Sequence, residues 1–351
     1  MRRNKVSILF IVFKYKVKLI IPEKYWQLIY KITFKKYFDN KFYQEIKYYK
    51  SKSKSKFYII RRRPPGAGLF SNVFHVIQGI LRAESISIDT QLLPIVDFEN
   101  YYMGEIHSLK DFPAKSNSWT NYFLQLSPYE LDDVYKNYDY ILSSEKFSND
   151  PFLLKKDLNW IFDDIKFNAV TKIIKEYINP NLLLQEMIIN WKDRINWDPK
   201  KTLALGVRGG SYVKYRHTGH PVQASVDEVI PEVEKYLERY TIEKIYLQTH
   251  DYKIYDDVKR RFGEKILKSY SMSPYNSLEE FSKKSPKDRP YHWDKVPRLS
   301  YEENYRYLID VYMMSDANFL IASLTNGTAF TIANNGKRFS DLKILNKGYY
   351  E

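Results

Sequence analysis

The chain of 351 residues is long enough for two domains of average size, and its hydrophobic fraction of 44% with 32 tyrosines argues against overall disorder. It contains no cysteine, which excludes disulfides, thiolate metal sites and cysteine nucleophiles and fits a reducing compartment. We therefore expect two α/β lobes in a cytoplasmic protein.

Basic charge is concentrated at the start of the chain. Of the formal net charge of +14, residues 1–63 carry +16, so the remaining residues carry −2. From Pro22 to about Lys50, apolar residues recur at three- and four-residue steps between lysines, which predicts an amphipathic helix. Residues 51–56 alternate serine and lysine, which is typical of a linker. We interpret residues 1–56 as a basic N-terminal extension and linker.

Several partners would suit this extension. A basic amphipathic helix can lie on an anionic membrane, so peripheral membrane contact is one expectation, and packing on the body of the protein is the other. Nucleic acid would attract the same charge, but the nearly neutral remainder of the chain disfavours nucleic-acid binding. The apolar run at residues 6–13 is similar to an export signal, yet no small-residue cleavage site follows and the run is too short to span a bilayer. We favour a buried strand or interfacial segment there.

Residues 57–197 have the pattern of a first α/β lobe. Strand composition at residues 57–60 is followed by turn chemistry and by helical spacing at residues 69–81. A second short strand is predicted at residues 95–97, and residues 159–191 contain two helical patterns broken at Asn179 and Pro180. The loop before the first helix contains Gly66 and Gly68, a Gly-x-Gly pattern that is a weak phosphate-binding signal.

Residues 198–351 are more regular and predict a second lobe. Apolar runs at residues 202–207, 242–247, 266–267 and 319–322 alternate with helical patterns at residues 226–240, 251–262, 301–315 and 328–334. This alternation predicts a parallel, doubly wound sheet. Because ligands bind beyond the carboxyl ends of the strands in such sheets, chemistry is expected in the loops after Val207, Leu247 and Ala322.

The first of these loops begins with Arg208 and Gly209 and continues to Ser211. An arginine at a strand end can present a planar pair of donors to a phosphate while glycines let the backbone come close. This pattern suits a pyrophosphate, and a plain surface turn is the alternative interpretation.

The third loop contains Ser323, Thr325 and Asn326 and leads directly into a helix. Hydroxyl groups and free backbone N–H groups at a helix start form an anion site. The alternative is an ordinary helix cap, which would need only one of these residues.

Other chemistry-bearing residues give weaker signals. His217 and His220 are spaced to bind a metal, but they lie in a Gly/Pro-containing loop without a nearby carboxylate, so we expect no metal site and no cofactor. His250 and Asp251 follow the second strand and are candidates for the site, although Asp251 could equally cap the next helix. The sequence contains no Walker loop and no nucleophile elbow.

The order of these loops resembles the GDP-fucose-dependent fucosyltransferase superfamily, which includes α-1,6-, nodulation and protein O-fucosyltransferases. The segments that carry the resemblance are most like those of bacterial polysaccharide members. They are residues 66–68, 208–212, 219–223 and 246–249.

The resemblance implies a GT-B architecture of two Rossmann-like lobes facing a cleft. The C-terminal lobe would bind a GDP-fucose-like donor and the N-terminal lobe a glycan acceptor, free or lipid-linked, with inverting, metal-independent transfer in polysaccharide biosynthesis. Arg208 would bind the β-phosphate and stabilise the leaving GDP. Asp310 matches the carboxylate that reads the guanine edge, and Gly66, Gly68, Gly209, Ser211, Ser323, Thr325 and Asn326 match donor-binding positions. His217, His220 and Asp251 are the candidate general bases.

Two positions depart from the family pattern. The family's aspartate in the first loop is Ser211 here, and the histidine often found two residues before the arginine is Gly206. These departures keep open a second hypothesis, in which the chain is a non-catalytic relative that binds nucleotides or glycans.

Overall fold

A computed structural model describes residues 45–48, 56–62, 67–87, 91–98, 103, 117–144, 154, 158–209, 219–272, 296–336 and 338–351 of the chain. For residues 296–302 the description is limited to the backbone. Within these ranges, no helix has both the length and the hydropathy that are needed to cross a bilayer.

A four-stranded sheet forms in the first half of the chain. Its strands are Ile46–Tyr48 (β1), Lys56–Arg62 (β2), Leu92–Phe98 (β3) and Asp139–Leu142 (β4), and the helices of this half are Leu69–Ile86 (α1), Leu131–Asn137 (α2), Asp164–Tyr177 (α3) and Leu182–Arg194 (α4). The strand order is β1-β4-β2-β3, in which β2 runs parallel to β3 and β4, and β1 is antiparallel at the edge. Residues 57–60 of β2 are fully buried, as expected for an inner parallel strand covered on both faces.

A five-stranded, fully parallel sheet forms in the second half. Its strands are Thr202–Gly206 (β5), Lys244–Gln248 (β6), Ile266–Lys268 (β7), Phe319–Ser323 (β8) and Asp341–Leu345 (β9), and its helices are Val226–Arg239 (α5), Tyr252–Phe262 (α6), Val296–Asp316 (α7) and Asn326–Asn335 (α8). The order is β7-β6-β5-β8-β9. From β5 the chain adds β6 and β7 toward one edge of the sheet. It then returns to place β8 on the other side of β5 and adds β9 at the opposite edge. The carboxyl ends of β5 and β8 form the topological switch point, where ligands bind in doubly wound sheets.

Both faces of the second sheet are covered, because successive side chains along its strands pack into two different hydrophobic clusters, one on each face. Leu203 and Leu205 of β5 pack in a cluster that includes residues of α5 and α6, whereas Ala204 belongs to a cluster that includes Leu308 of α7. The cluster that contains Ala204 continues through α8, α3 and α1 to Ile60 on the first sheet. One packed region therefore joins the two sheets and holds the first turn of α1 near the second sheet.

The structure confirms the mixed α/β class and the parallel sheets, including every strand and helix predicted in the second half. The sequence missed β1, β4, β9 and α2, which are short or lie at an edge. The helix predicted from Pro22 to about Lys50 is wrong at residues 46–48, which pair with β4 as β1, and residues 22–44 of that prediction lie outside the described residues. Part of the predicted extension thus belongs to the first sheet, and the boundaries at residues 57 and 198 remain predictions.

Candidate functional site

A cavity lies at the switch point of the second sheet, between the loops that follow β5, β6 and β8. Including its open mouth, it encloses about 390 Å³. The residues that line it come from all three loops and from the facing sides of α7 and α8; they are Gly206, Arg208, Gln223, Gln248, His250, Tyr307, Val311, Met314, Ser323, Thr325, Gly327, Thr328 and Thr331. The structure thus brings together three loops that are separated by up to about 120 residues in the sequence.

Arg208 is the cationic side chain of this lining, and none of the lining residues is acidic. Ser323 and Thr325 line the same cavity, so the first and third loops lie beside each other there. The cavity also receives the N-terminus of α8, whose first turn contains no acidic residue. A guanidinium and the positive end of a helix dipole around one space favour a bound anion.

Two glycines lie in close packing around Arg208. A Cβ at Gly206 would lie 2.9 Å from Met314 Cε and 3.2 Å from Ala322 Cβ, so a side chain there would require the Met314 side chain to move and β8 to shift by a few tenths of an ångström. A Cβ at Gly209 would lie 2.6 Å from Asp251 Oδ2 and 2.6 Å from Ile254 Cδ1. A histidine at position 206 would therefore compete for space with the Met314 side chain, which packs there in this protein.

The hydroxyl groups of the third loop are largely used to build the start of α8. Thr325 Oγ1 accepts a hydrogen bond from Thr328 N at 3.0 Å, and Thr328 Oγ1 donates one to Ser323 O at 2.7 Å. Ser323 Oγ accepts a hydrogen bond from Ala224 N at 3.0 Å, which ties this loop to the segment after β5. Thr325 is thus the helix cap of the alternative interpretation, yet it still lines the cavity.

Asn326 faces the first half of the chain. Its Nδ2 donates a hydrogen bond to Ser71 Oγ at 2.9 Å, in the first turn of α1. The ring of Phe70 packs beside Tyr307 and Phe330, with centroid distances of 5.3 and 5.0 Å. The N-termini of α1 and α8 therefore meet, and the first turn of α1 packs against the helix start that borders the cavity.

The second loop places His250 in the cavity lining but leaves Asp251 outside it. Asp251 Oδ1 accepts a hydrogen bond from Lys253 N at 3.0 Å and caps α6, which was the alternative interpretation of this residue. The ring of His250 lies 5.5 Å from that of Tyr307, centroid to centroid. Although His250 as a residue is exposed, the protein atoms packed around its ring, followed by the Arg208 guanidinium, lower the pKa of the imidazole to about 4. It is therefore neutral at pH 7.

Asp310 lies away from the cavity and is fully buried. Its Oδ1 accepts hydrogen bonds from Tyr246 Oη at 2.6 Å and Tyr270 N at 2.7 Å, and its Oδ2 accepts them from Ser271 Oγ at 2.6 Å and Ser271 N at 3.3 Å. Burial raises the pKa of this carboxyl to about 6, and the four donors oppose that rise. As arranged here, Asp310 holds the turn after β7 to helix α7 and does not line the cavity, and its contact with a guanine stays a prediction.

The remaining predicted site residues are dispersed. His220 is exposed, its backbone carbonyl accepts a hydrogen bond from Tyr350 N, and it does not line the cavity. Gly68 caps α1 and is likewise absent from the lining. Gly66, Ser211 and His217 lie outside the described residues. In the part of the chain that the structure describes, no three His, Cys, Asp or Glu side chains are grouped as in a metal site, and metal independence stays a prediction.

Sequence reasoning assigned no role to several lining residues, notably Gln223, Gln248, Tyr307 and Thr331. Gln248 ends β6 and could have been found from the rule that ligands lie beyond strand ends. Tyr307, Val311 and Met314 follow helical spacing on α7, but this spacing is equally typical of a core face. Thr331 lies in a helix that is buried on nearly all sides, so its position in the sequence gives no local signal.

No protein-family model matches the chain, and no curated protein matches it. Fucosyltransferase NodZ from Bradyrhizobium is similar to the chain, with 14% sequence identity, a TM-score of 0.45, and coverage of 80% of this chain and 92% of that chain. An Arabidopsis thaliana FUT1 variant in complex with GDP has 8% identity, a TM-score of 0.41, and coverage of 83% of this chain and 70% of that chain. POFUT1 in complex with GDP has 9% identity, a TM-score of 0.34, and coverage of 83% of this chain and 73% of that chain. These identities and TM-scores are low, so the function of this chain has to be inferred from its own site.

Proposed function

We propose that the chain is a glycosyltransferase that transfers fucose or a related sugar from a GDP-sugar to a hydroxyl group of a glycan acceptor. The observation that supports this most directly is the cavity at the switch point, where Arg208 and the N-terminus of α8 meet without an acidic residue in the lining. The choice of a GDP-sugar among nucleotide sugars follows the resemblance of the sequence motifs.

In this proposal the donor's pyrophosphate lies between Arg208 and the start of α8. The acceptor oxygen forms a bond to the anomeric carbon, the bond between that carbon and the β-phosphate oxygen breaks, and the electron pair leaves with GDP. The Arg208 guanidinium neutralises the charge that develops on the leaving phosphate, which lowers the barrier because the donors are already in place. No metal ion is needed for this neutralisation, and the configuration at the anomeric carbon inverts.

The acceptor approaches from the side of the first sheet, across a cleft between the two lobes. The contact between Asn326 and Ser71 supports this arrangement, because it joins the first turn of α1 to the start of α8. His250 is a poor general base at neutral pH, since a pKa of about 4 makes its imidazole a weak proton acceptor. We therefore assign His250 to hydrogen bonding with the donor, and the proton of the acceptor hydroxyl leaves to a base that we do not assign.

The test is nucleotide binding by calorimetry with wild type, Arg208→Ala and a matched control. Charge-assisted hydrogen bonds contribute about 1.5–3 kcal/mol, so Arg208→Ala should weaken GDP binding about 10- to 150-fold and lose most of the preference for GDP over GMP. Arg260→Ala is the control, because Arg260 is an exposed residue of α6 whose side chain is paired with Asp257. Wild-type affinity for GDP in Arg208→Ala would contradict the proposed role.

Activity is tested by sugar transfer from GDP-fucose, GDP-mannose and UDP-glucose to a panel of oligosaccharides. The proposal predicts turnover with a GDP-sugar and loss of turnover in Arg208→Ala. Tight binding of GDP without any transfer or donor hydrolysis would favour the non-catalytic relative instead.

Membrane contact through the basic extension is a separate part of the proposal. Residues 1–44 precede the described part of the chain, and Glu45 already interacts with Arg82 of α1 at 3.0 Å. A fair test therefore removes only residues 1–44 and keeps β1. The shortened chain should lose sedimentation with anionic vesicles and keep its affinity for GDP.

A further inference from the structure

His250 lies in the cavity lining close to the start of α8. The residue is exposed, so a ligand that enters the cavity can contact it. Its ring packs beside the ring of Tyr307, with a centroid distance of 5.5 Å. The hydroxyl group of Tyr307 in turn occupies the space where a Cβ of Gly327, the second residue of α8, would lie. Through Tyr307, the His250 ring is therefore held near the helix start that the donor's pyrophosphate is proposed to meet.

The cavity contains two groups that can be positively charged and, among the described residues that line it, no carboxylate that could balance them. Arg208 is always charged in a protein. The His250 imidazole is neutral in the free protein, because the atoms packed around it and then the Arg208 guanidinium lower its pKa to about 4. Tyr307 and Asp251 are the other titratable residues beside it, and the Asp251 carboxylate is bonded to Lys253 N. The free site thus has one positive charge, whereas the pyrophosphate of a nucleotide sugar has two negative charges.

The neighbouring side chain on β6, Gln248, can accommodate either protonation state of His250. Gln248 Nε2 lies 3.4 Å from His250 Nε2. An amide nitrogen only donates hydrogen bonds, so this contact fits a neutral ring that accepts at Nε2. In a protonated ring Nε2 is a donor, and rotation of the Gln248 amide by a half-turn would place its oxygen there as the acceptor. A proton on His250 therefore requires no change of the backbone.

A bound pyrophosphate would reverse the charge balance around His250. An opposite charge within about 4–6 Å favours the charged form of a titratable group about 10- to 1000-fold. At pH 5.5 the free ring is almost entirely neutral, because its pKa is about 4. A change of this size therefore corresponds to the uptake of about 0.2–0.9 proton for each ligand bound at that pH.

We propose that His250 takes up a proton when the nucleotide sugar binds, and that the resulting imidazolium donates a hydrogen bond to the pyrophosphate together with Arg208. This inference rests on the proposed function of the cavity. The second positive charge would lie where the leaving phosphate gains negative charge, so it would stabilise the departure of GDP as well as binding.

The test is calorimetry of GDP-fucose binding at pH 5.5 in two buffers with different enthalpies of ionisation, which gives the number of protons taken up per ligand. A nucleotide sugar is the suitable probe, because its pyrophosphate is esterified at both ends and lacks the group that titrates near pH 6 in a terminal phosphate. Wild type should take up about 0.2–0.9 proton. Its affinity should fall as the pH rises from 5.5 to 8, because the complex binds more protons than the free protein. His250→Asn should take up no proton and lose this pH dependence.

His220→Asn is the matched control, because His220 is exposed and does not line the cavity. It should take up as many protons as wild type. An NMR titration of the His250 ring in wild type, with and without GDP-fucose, follows the same proton without relying on how well a variant binds. A ring that stays neutral in the complex at pH 5.5, or equal uptake in wild type and His250→Asn, would overturn the inference. Absence of GDP-fucose binding by wild type would instead overturn the proposed function itself.

Discussion

Gly209 offers a sharp test of how the Arg208 loop is held, because the residue has space for a hydrogen atom and no more. The substitution Gly209→Ala places a methyl group 2.6 Å from Asp251 Oδ2, 2.8 Å from Asp251 Cβ and 2.6 Å from Ile254 Cδ1. The backbone of Gly209 lies outside the left-handed region, so alanine introduces no conformational strain of its own. Any cost therefore comes from overlap.

The size of the cost follows from these distances. Non-bonded carbon atoms prefer separations of about 3.5–4.0 Å. Asp251 Oδ2 and Ile254 Cδ1 are ends of side chains that can rotate away, but Asp251 Cβ at 2.8 Å can be relieved only if the loop and the start of α6 move apart by about 0.7 Å. Overpacking of this kind costs about 1–3 kcal/mol. If Asp251 moves, the cap that it provides to Lys253 N weakens, which adds up to about 1 kcal/mol. Because Arg208 is the preceding residue, GDP binding should weaken about 10-fold or more, since a misplacement of about 1 Å is costly at such sites.

Urea unfolding and GDP titration of Gly209→Ala measure both effects. Gly68→Ala is the stability control, because a Cβ there meets nothing within 4 Å, and as a change of the α1 cap without overlap it should lower the free energy of unfolding by no more than about 1 kcal/mol. In an Asp251→Gly background the overlaps with Asp251 Oδ2 and Cβ are both gone, so Gly209→Ala should cost less than in wild type. An equal cost in both backgrounds, or a cost within 0.5 kcal/mol of zero, would refute the explanation by overlap.

Two substitutions and one deletion test the surroundings of the cavity. The pKa of Asp310 rises from 3.8 to about 6 on folding, so the native state binds more protons in that range and stability falls as pH rises from 4 to 6. Urea unfolding should show a fall of about 2 kcal/mol between pH 4 and pH 6 in wild type relative to Asp310→Asn. Ser323→Ala leaves the buried Ala224 N without its acceptor and should lower the free energy of unfolding by about 1–3 kcal/mol, measured in the same way. Removal of residues 346–351, which pair with the segment before Gln223, should weaken GDP binding about 10-fold in calorimetry if the loss of these bonds loosens the lining.

The regular elements of the second half could be predicted because local patterns specify them. Apolar runs of five residues alternate with amphipathic helices, and this alternation allows little else than a parallel sheet covered on both faces. The same rule places the ends of β5, β6 and β8 at one edge, so the meeting of Arg208 with Ser323 and Thr325 was predictable before any coordinates. Edge strands such as β1 carry weaker patterns. Because β1 has only three residues and none of them is buried, its sequence does not need the apolar run that marks an inner strand.

The roles of individual side chains in the site depended on contacts between distant parts of the chain. Asp251 and Thr325 are polar residues after strands, and only their distances to Lys253 N and Thr328 N show that they cap helices. Asp310 has the sequence context of a ligand contact, but Tyr246, Tyr270 and Ser271 occupy its acceptor positions.

Taken alone, the sequence determined that this chain forms a parallel α/β sheet and that its anion-binding residues follow particular strands, since hydrophobic period and strand ends are local properties. Tertiary structure alone decided which polar atoms are left for a ligand. A hydrogen bond depends on position to within a few tenths of an ångström and on competition among all nearby donors and acceptors. Neither is encoded in the neighbours of a residue along the chain. For this reason only the folded molecule shows that Tyr246, Tyr270 and Ser271 donate hydrogen bonds to the Asp310 carboxylate.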